Sequence, residues 1–346
     1  MTPPAAPPSP SAEVRLDELG ELIAGLPGLL GFPPVDSLVV VTFTTTPDRC
    51  WLGPTVRVDL PEPGGRPDLV EQLCGAFAQN QVVAATPVIV GGGGADPPRL
   101  PHRGLMRLLT HELSAMGIRL VHSAWVPTIE HGATWWCYED GECTGQVHDP
   151  RSSALAAVAA LDGTVTYGSR AEMVDLLSPD QEDRVAHRAQ LLSALTGAPL
   201  REGELHQEML ATIDAFTAQD NQPELDDERI VRLTVALGHG RVRDTCLTLS
   251  ITDRASAAER LWTVLTRAVP APERAEPAFL LALCAYLRGS AVLAGMSLEV
   301  ALDADPSHPL ASLLRDALDR GTPPAEVRRM VAASVEQAQS RRRPEG

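Results

Sequence analysis

Cys137 and Cys143 stand in the segment TWWCYEDGECTG, residues 134–145, on either side of an acidic turn, Glu139-Asp140-Gly141. His131 and His148 bracket them in the order H-x5-C-x5-C-x4-H. Thiolates and imidazoles are the groups from which proteins build tetrahedral zinc sites, so these four residues offer a zinc-stabilised centre. The spacing is longer than the roughly two to four residues between the cysteines of familiar structural sites. A redox pair is the second chemistry open to facing cysteines, and plain packing is the third. No cofactor is favoured, and zinc is the one ion these residues could hold.

The register of the hairpin decides whether the two thiols meet. A two-residue Asp140-Gly141 loop sets Glu139 against Glu142, like charges directly opposite one another. A three-residue loop over Glu139-Asp140-Gly141, with Gly141 in the left-handed region of a bulged turn, sets Cys137 against Cys143. The second register is the expected one.

A second constellation lies in VRVDLP. On a strand, Arg57 and Asp59 point to one face and Val56, Val58 and Leu60 to the other. Arg57 could serve as an anion fork and Asp59 as a general base or orienting carboxylate. Asp36, just before the strand that opens at Ser37, and Arg170 in GSR could share that edge. A partly exposed ion pair is the alternative reading of Arg57 and Asp59. The run VIVGGGGADPP invites a phosphate-loop reading, but Asp96-Pro97-Pro98 intervene where the dinucleotide fingerprint would lead straight into a helix.

Composition closes several routes. All 29 basic residues are arginine, so no lysine can form a Schiff base or reach a phosphate from a Walker-type loop. GxSxG and HExxH are absent. The net charge of -16 argues against a nucleic-acid partner, and no apolar run approaches the roughly 20 residues that a membrane span needs. MTPPAAPPSPSAEV has no basic and then apolar region of a secretory leader, so residues 1–14 read as a disordered tail and the protein as cytoplasmic. SRRRPEG reads as a disordered basic tail over 340–346.

The elements that must position these residues follow from periodicity. LDELGELIAGLPGLLGFPP predicts a helix ending near Pro27. SLVVVTF and ATPVIV are continuous apolar runs of strands buried on both faces, TVRVDLP alternates with period two, and IRLVHSAWVP predicts one further strand. PDLVEQLCGAFAQN and HRGLMRLLTHELSAMG are helical between them. This pattern predicts an α/β sandwich with a mixed sheet over residues 15–170. Over 171–339 the period is helical throughout, predicting an all-α domain. It opens at a capping box of Ser178, Pro179 and Gln181 and contains a tetratricopeptide-like helical hairpin between about 278 and 318.

LPGLLGFPPVDSLVVVTF, VRVDLP and LCAYLRGSAVLAGMSLEVALDADPSHPLASLLRDALDRGTPP together resemble the actinobacterial family of domain of unknown function 4192, over roughly Leu16 to Met330. The resemblance implies the two-part fold and brings no activity. The leading expectation is a non-catalytic scaffold with a protein partner on the C-terminal helices, whose apolar stripe is Leu310, Leu313, Leu314, Ala317 and Leu318. The alternatives are an enzyme acting on an anionic small molecule around Arg57 and Asp59, and a zinc-stabilised protein around Cys137 and Cys143.

Overall fold

The computed structural model describes residues 18–46, 49–94, 99–161, 166–195, 201–218 and 223–342. The expected tail at 1–14 lies outside them. The chain divides into two compact units, one from the described parts of Met1–Val70 and Val83–Tyr167, the other from Glu71–Val82 and Gly168–Gly346. A mixed sheet with helices forms the N-terminal part, and the C-terminal part is all helical.

The sheet unit contains α1 (Leu19–Leu30), β1 (Ser37–Thr46), β2 (Arg49–Asp59), the start of α2 (Arg66–Gln79), β3 (Ala84–Val90), α3 (Arg103–Ala115), β4 (Arg119–Leu120), β5 (Ala124–Val126), β6 (Thr134–Cys137), β7 (Thr144–Gln146) and α4 (Ala154–Leu161). The strand order is β2-β1-β3-β5-β6-β7, with β4 also on β3. β3, AATPVIV, is buried along its whole length, as a largely apolar run at a sheet centre should be. It is antiparallel to β1 and parallel to β5.

Two local expectations fail for physical reasons. α1 does not stop near Pro27. It runs on to Leu30, where Gly31 takes the left-handed conformation (φ 84°) and donates its N–H to Pro27 O at 2.8 Å. The proline sits in the last turn, so the helix gives up one backbone bond and keeps its buried apolar face. IRLVHSAWVP is also not one strand. β4 pairs with β3 as Ala84↔Arg119 and Ala85↔Leu120, whereas β5 pairs as Val88↔Ala124. One extra residue is absorbed between Leu120 and Ala124, and it reverses the faces to which the two halves point.

The helical unit contains α5 (Arg170–Asp175), α6 (Glu182–Leu195), α7 (Glu202–Ala218), α8 (Asp227–Leu237), α9 (Gly240–Leu249), α10 (Ala255–Ala268), α11 (Ala275–Arg288), α12 (Ala291–Ala304), α13 (Pro309–Asp319) and α14 (Pro324–Arg342). α11 and α12 form the expected helical hairpin, turning at Gly289 (φ 94°). α14 runs past the expected end at Gln339 as far as Arg342. α6 starts at Glu182, beyond the capping box read at Ser178, because Asp180 is held outside the helix by Arg188.

Arg188 is the buried cation of this unit, 1% exposed. Its guanidinium donates to Asp227 Oδ1 at 2.7 Å, to Asp180 Oδ2 at 2.7 Å and to the Ala268 carbonyl at 3.0 Å. α6, α8 and the end of α10 are thereby tied at one point. The Arg188 hydrogen bond, with the Arg184 charge behind it, holds the Asp227 carboxyl below the usual carboxylate range. That stabilisation is complete above the unfolded carboxylate value of about 4 and is lost as pH falls through the depressed folded value. Arg188→Ala, which removes the donor shared by Asp180, Asp227 and the Ala268 carbonyl, is expected to cost about 1.5–3 kcal/mol in urea unfolding at neutral pH. The deficit relative to the parent protein should shrink as the pH is lowered through the carboxylate range.

Candidate metal centre

β6 and β7 pair as Thr134↔Gln146, Trp135↔Gly145 and Trp136↔Thr144. The next rung sets Cys137 opposite Cys143, and the Cys137 N–H donates to the Cys143 carbonyl at 3.0 Å. The turn that closes the hairpin differs from the expected one, since Gly141 is not among the residues with positive φ. Asp140 makes the turn instead. Its carbonyl accepts the Cys143 N–H at 3.2 Å and its carboxylate accepts the Glu142 N–H at 2.9 Å. An aspartate closing its own turn removes the need for a left-handed glycine.

The hairpin is seated by its tryptophans. Trp135 is buried, and a Cβ on the facing Gly145 would come within 2.7 Å of its ring, so only glycine leaves it room. Trp136 lies on the opposite face and packs against Trp125 of β5, ring centroids 5.4 Å apart.

A third metal-ligating side chain comes from the short connection that leads into β5. Ala124 is paired with Cys137, and the Tyr138 N–H donates to the Ser123 carbonyl at 3.0 Å. These contacts bring the residues just before β5, His122 among them, alongside the end of β6. One imidazole nitrogen of His122 and the two Sγ atoms all fall within 4.8 Å of one another. Ligands bound at about 2.0–2.3 Å to a tetrahedral ion stand roughly 3.3–3.8 Å apart, so small side-chain rotations bring these three onto one cation. Cys137 is buried, while His122 and Cys143 are half-buried. Desolvation pushes the Cys143 thiol up, aided by the adjoining Cys137 and by Asp140. A cation is what would draw it to thiolate.

The symmetric bracket of His131 and His148 does not join this cluster. Gly132 donates its N–H to Val147 O at 2.9 Å, and Val147 donates to Ala133 O at 2.8 Å. Both histidines thus belong to the open end of the hairpin, while the cysteines occupy the closed end. At about 3.3 Å per residue that is a separation of roughly 20 Å. His131 is exposed, and His148 lies 3.4 Å from the Glu18 carboxylate. Spacing that is symmetric about a turn places its outer members far from the inner pair.

The second constellation gathers only in part. Asp36, Arg57 and Asp59 reach one end of the sheet, where Ser37 pairs with both Asp59 and Val90. Arg57 is bound to Asp59 at 2.5 Å and donates to the Ser37 hydroxyl at 2.9 Å. Asp36, held at φ 44°, accepts the Gly92 N–H at 2.7 Å. Gly91 donates to Val126 O at 2.9 Å, and its carbonyl accepts the Trp125 indole N–H at 2.8 Å. The glycine run joins strands here, and the amides of Gly91 and Gly92 that a phosphate would need are already used. Arg170 begins α5 in the other compact unit.

A depression of about 810 Å³ in the sheet unit is lined by Arg107, His111, Arg119 and Glu139 among others. In the helical unit, Leu314 and Ala317 of the expected α13 stripe are buried, Leu310 and Leu318 are half-buried, and Leu313 is 49% exposed. Single exposed apolar side chains of this kind are ordinary. No helix among the described residues is long and apolar enough to cross a membrane.

No curated protein and no solved structure matches the chain. The model of one family, Domain of unknown function (DUF4192), matches residues 20–325, most of the chain, and the protein belongs to that family.

Proposed function

We propose that this protein binds zinc through His122, Cys137 and Cys143, and that the ion fixes the closed end of the β6–β7 hairpin to β5. The convergence of one imidazole and two thiols within 4.8 Å carries the reading. Two soft sulfur donors with one imidazole favour zinc over calcium or magnesium, which take oxygen ligands. Three segments supply one ligand each, His122 from the connection between β4 and β5, Cys137 from the end of β6 and Cys143 from the turn just before β7, so the ion cross-links segments separated in sequence. With three protein ligands, a fourth position is left for water or an incoming group, the composition of an open zinc site. Thr86 on β3, two residues from the Val88 that pairs with Ala124, carries a buried hydroxyl without a hydrogen-bond partner among the described residues. Such an orphaned group favours a polar occupant nearby.

Protein purified without a tag should contain about one zinc per chain by atomic emission, removable with a strong chelator. Zinc held at a free concentration of about 100 times its dissociation constant should raise the unfolding free energy by about 2.7 kcal/mol. His122→Ala should weaken zinc binding more than tenfold, whereas His131→Ala and His148→Ala should leave it unchanged. Equal losses from all three histidine variants, or zinc retained in His122→Ala, would contradict this site.

A further inference from the structure

The same three side chains offer a second covalent state. Cys137 and Cys143 are directly opposed, the Cys137 N–H on the Cys143 carbonyl, and Cα atoms so opposed in an antiparallel pair stand about 4.5–5.5 Å apart. That separation lies within the roughly 4.4–6.8 Å range of disulfides. The Sγ atoms already lie within 4.8 Å of one another. Both are free cysteines. The two partners differ in access, Cys137 being 5% exposed and Cys143 half-buried at the mouth of the turn. Of the other described cysteines, Cys246 and Cys284 are buried and Cys74 is half-buried.

We infer that the site is redox-gated: hydrogen peroxide converts Cys137 and Cys143 to a disulfide and expels the metal. This rests on the zinc reading above. The Cys143 thiolate attacks one peroxide oxygen, breaking the O–O bond and giving a sulfenic acid and hydroxide. The Cys137 thiolate then attacks the Cys143 sulfur, forming the S–S bond and releasing the sulfenic oxygen as a second hydroxide. Two protons from solvent convert both hydroxides to water. Peroxide is reduced by two electrons and the sulfur pair is oxidised by two. His122 is left as the one remaining ligand, and a single imidazole cannot retain the ion. A dithiol reductant reverses the step by thiol exchange and restores the site.

The test uses the full chain loaded with zinc and treated with stoichiometric hydrogen peroxide in the presence of a chromogenic chelator. Zinc release should accompany the loss of two of the six thiols, counted after denaturation. Cleavage after arginine yields a peptide from Leu120 to Arg151 that contains only these two cysteines, and it should be lighter by two hydrogens. A dithiol should return both the thiols and the bound zinc. Cys143→Ser, at the more exposed position, should form no such intrapeptide bond, and His122→Ala should still form it without any zinc to release. Absence of zinc before peroxide would overturn the metal reading itself. Zinc retained through oxidation, or released without the intrapeptide disulfide, would overturn the gating alone.

Discussion

Antiparallel pairing with a two-residue repeat governs which chemistry can assemble in the sheet unit. Each rung fixes two side chains on one face, and each step along a strand reverses the face. The β6–β7 rungs at Trp135↔Gly145 and Trp136↔Thr144 leave Cys137 and Cys143 facing one another. The β5–β6 rung at Ala124↔Cys137 brings His122, just before β5, alongside the end of β6. A slip of one residue in the β6–β7 pairing would send a ligand to the opposite face. The register is held by bulk rather than by the ligands: Trp135 fills the space over Gly145, and Trp136 packs on Trp125. The ligand set therefore depends on aromatic packing two rungs away.

The two ends of the sheet use their polar residues differently. Where Asp36, Arg57 and Asp59 gather, each group is satisfied by a neighbour, and the glycine loop after β3 spends its amides on strand-to-strand bonds. At the His122 end, two thiols and an imidazole crowd together near the buried Thr86 hydroxyl, which has no partner among the described residues. Satisfied polar groups stabilise a fold, whereas crowded, unsatisfied donors and acceptors invite an added ion. The same contrast holds in the helical unit, where Arg188 is enclosed by two carboxylates and a carbonyl and acts as a structural tie.

Much of this architecture is legible in the residues. The β-branched run at 37–43 and the apolar run ending at Val90 mark the central strands, and the change to helical periodicity after residue 170 marks the all-α part. The facing of Cys137 and Cys143 follows from avoiding a Glu139–Glu142 clash. His122 is harder to find, because it lies in IRLVHSAWVP, which reads as one strand and so conceals the extra residue absorbed between Leu120 and Ala124. Only the long-range β5–β6 register places it beside the cysteines. His131 and His148 attract notice through their symmetric spacing, yet hairpin geometry carries them to the far end. Residues 71–82 group with the helical unit although they fall inside the α/β stretch, a tertiary choice that local periodicity does not encode.

The most direct measurement of the account is X-ray absorption at the zinc edge of the metal-loaded protein. Coordination by His122, Cys137 and Cys143 predicts two sulfur scatterers at about 2.3 Å, one imidazole nitrogen at about 2.0–2.1 Å and one further light atom. A first shell of nitrogen and oxygen alone, or of four sulfurs, would contradict it.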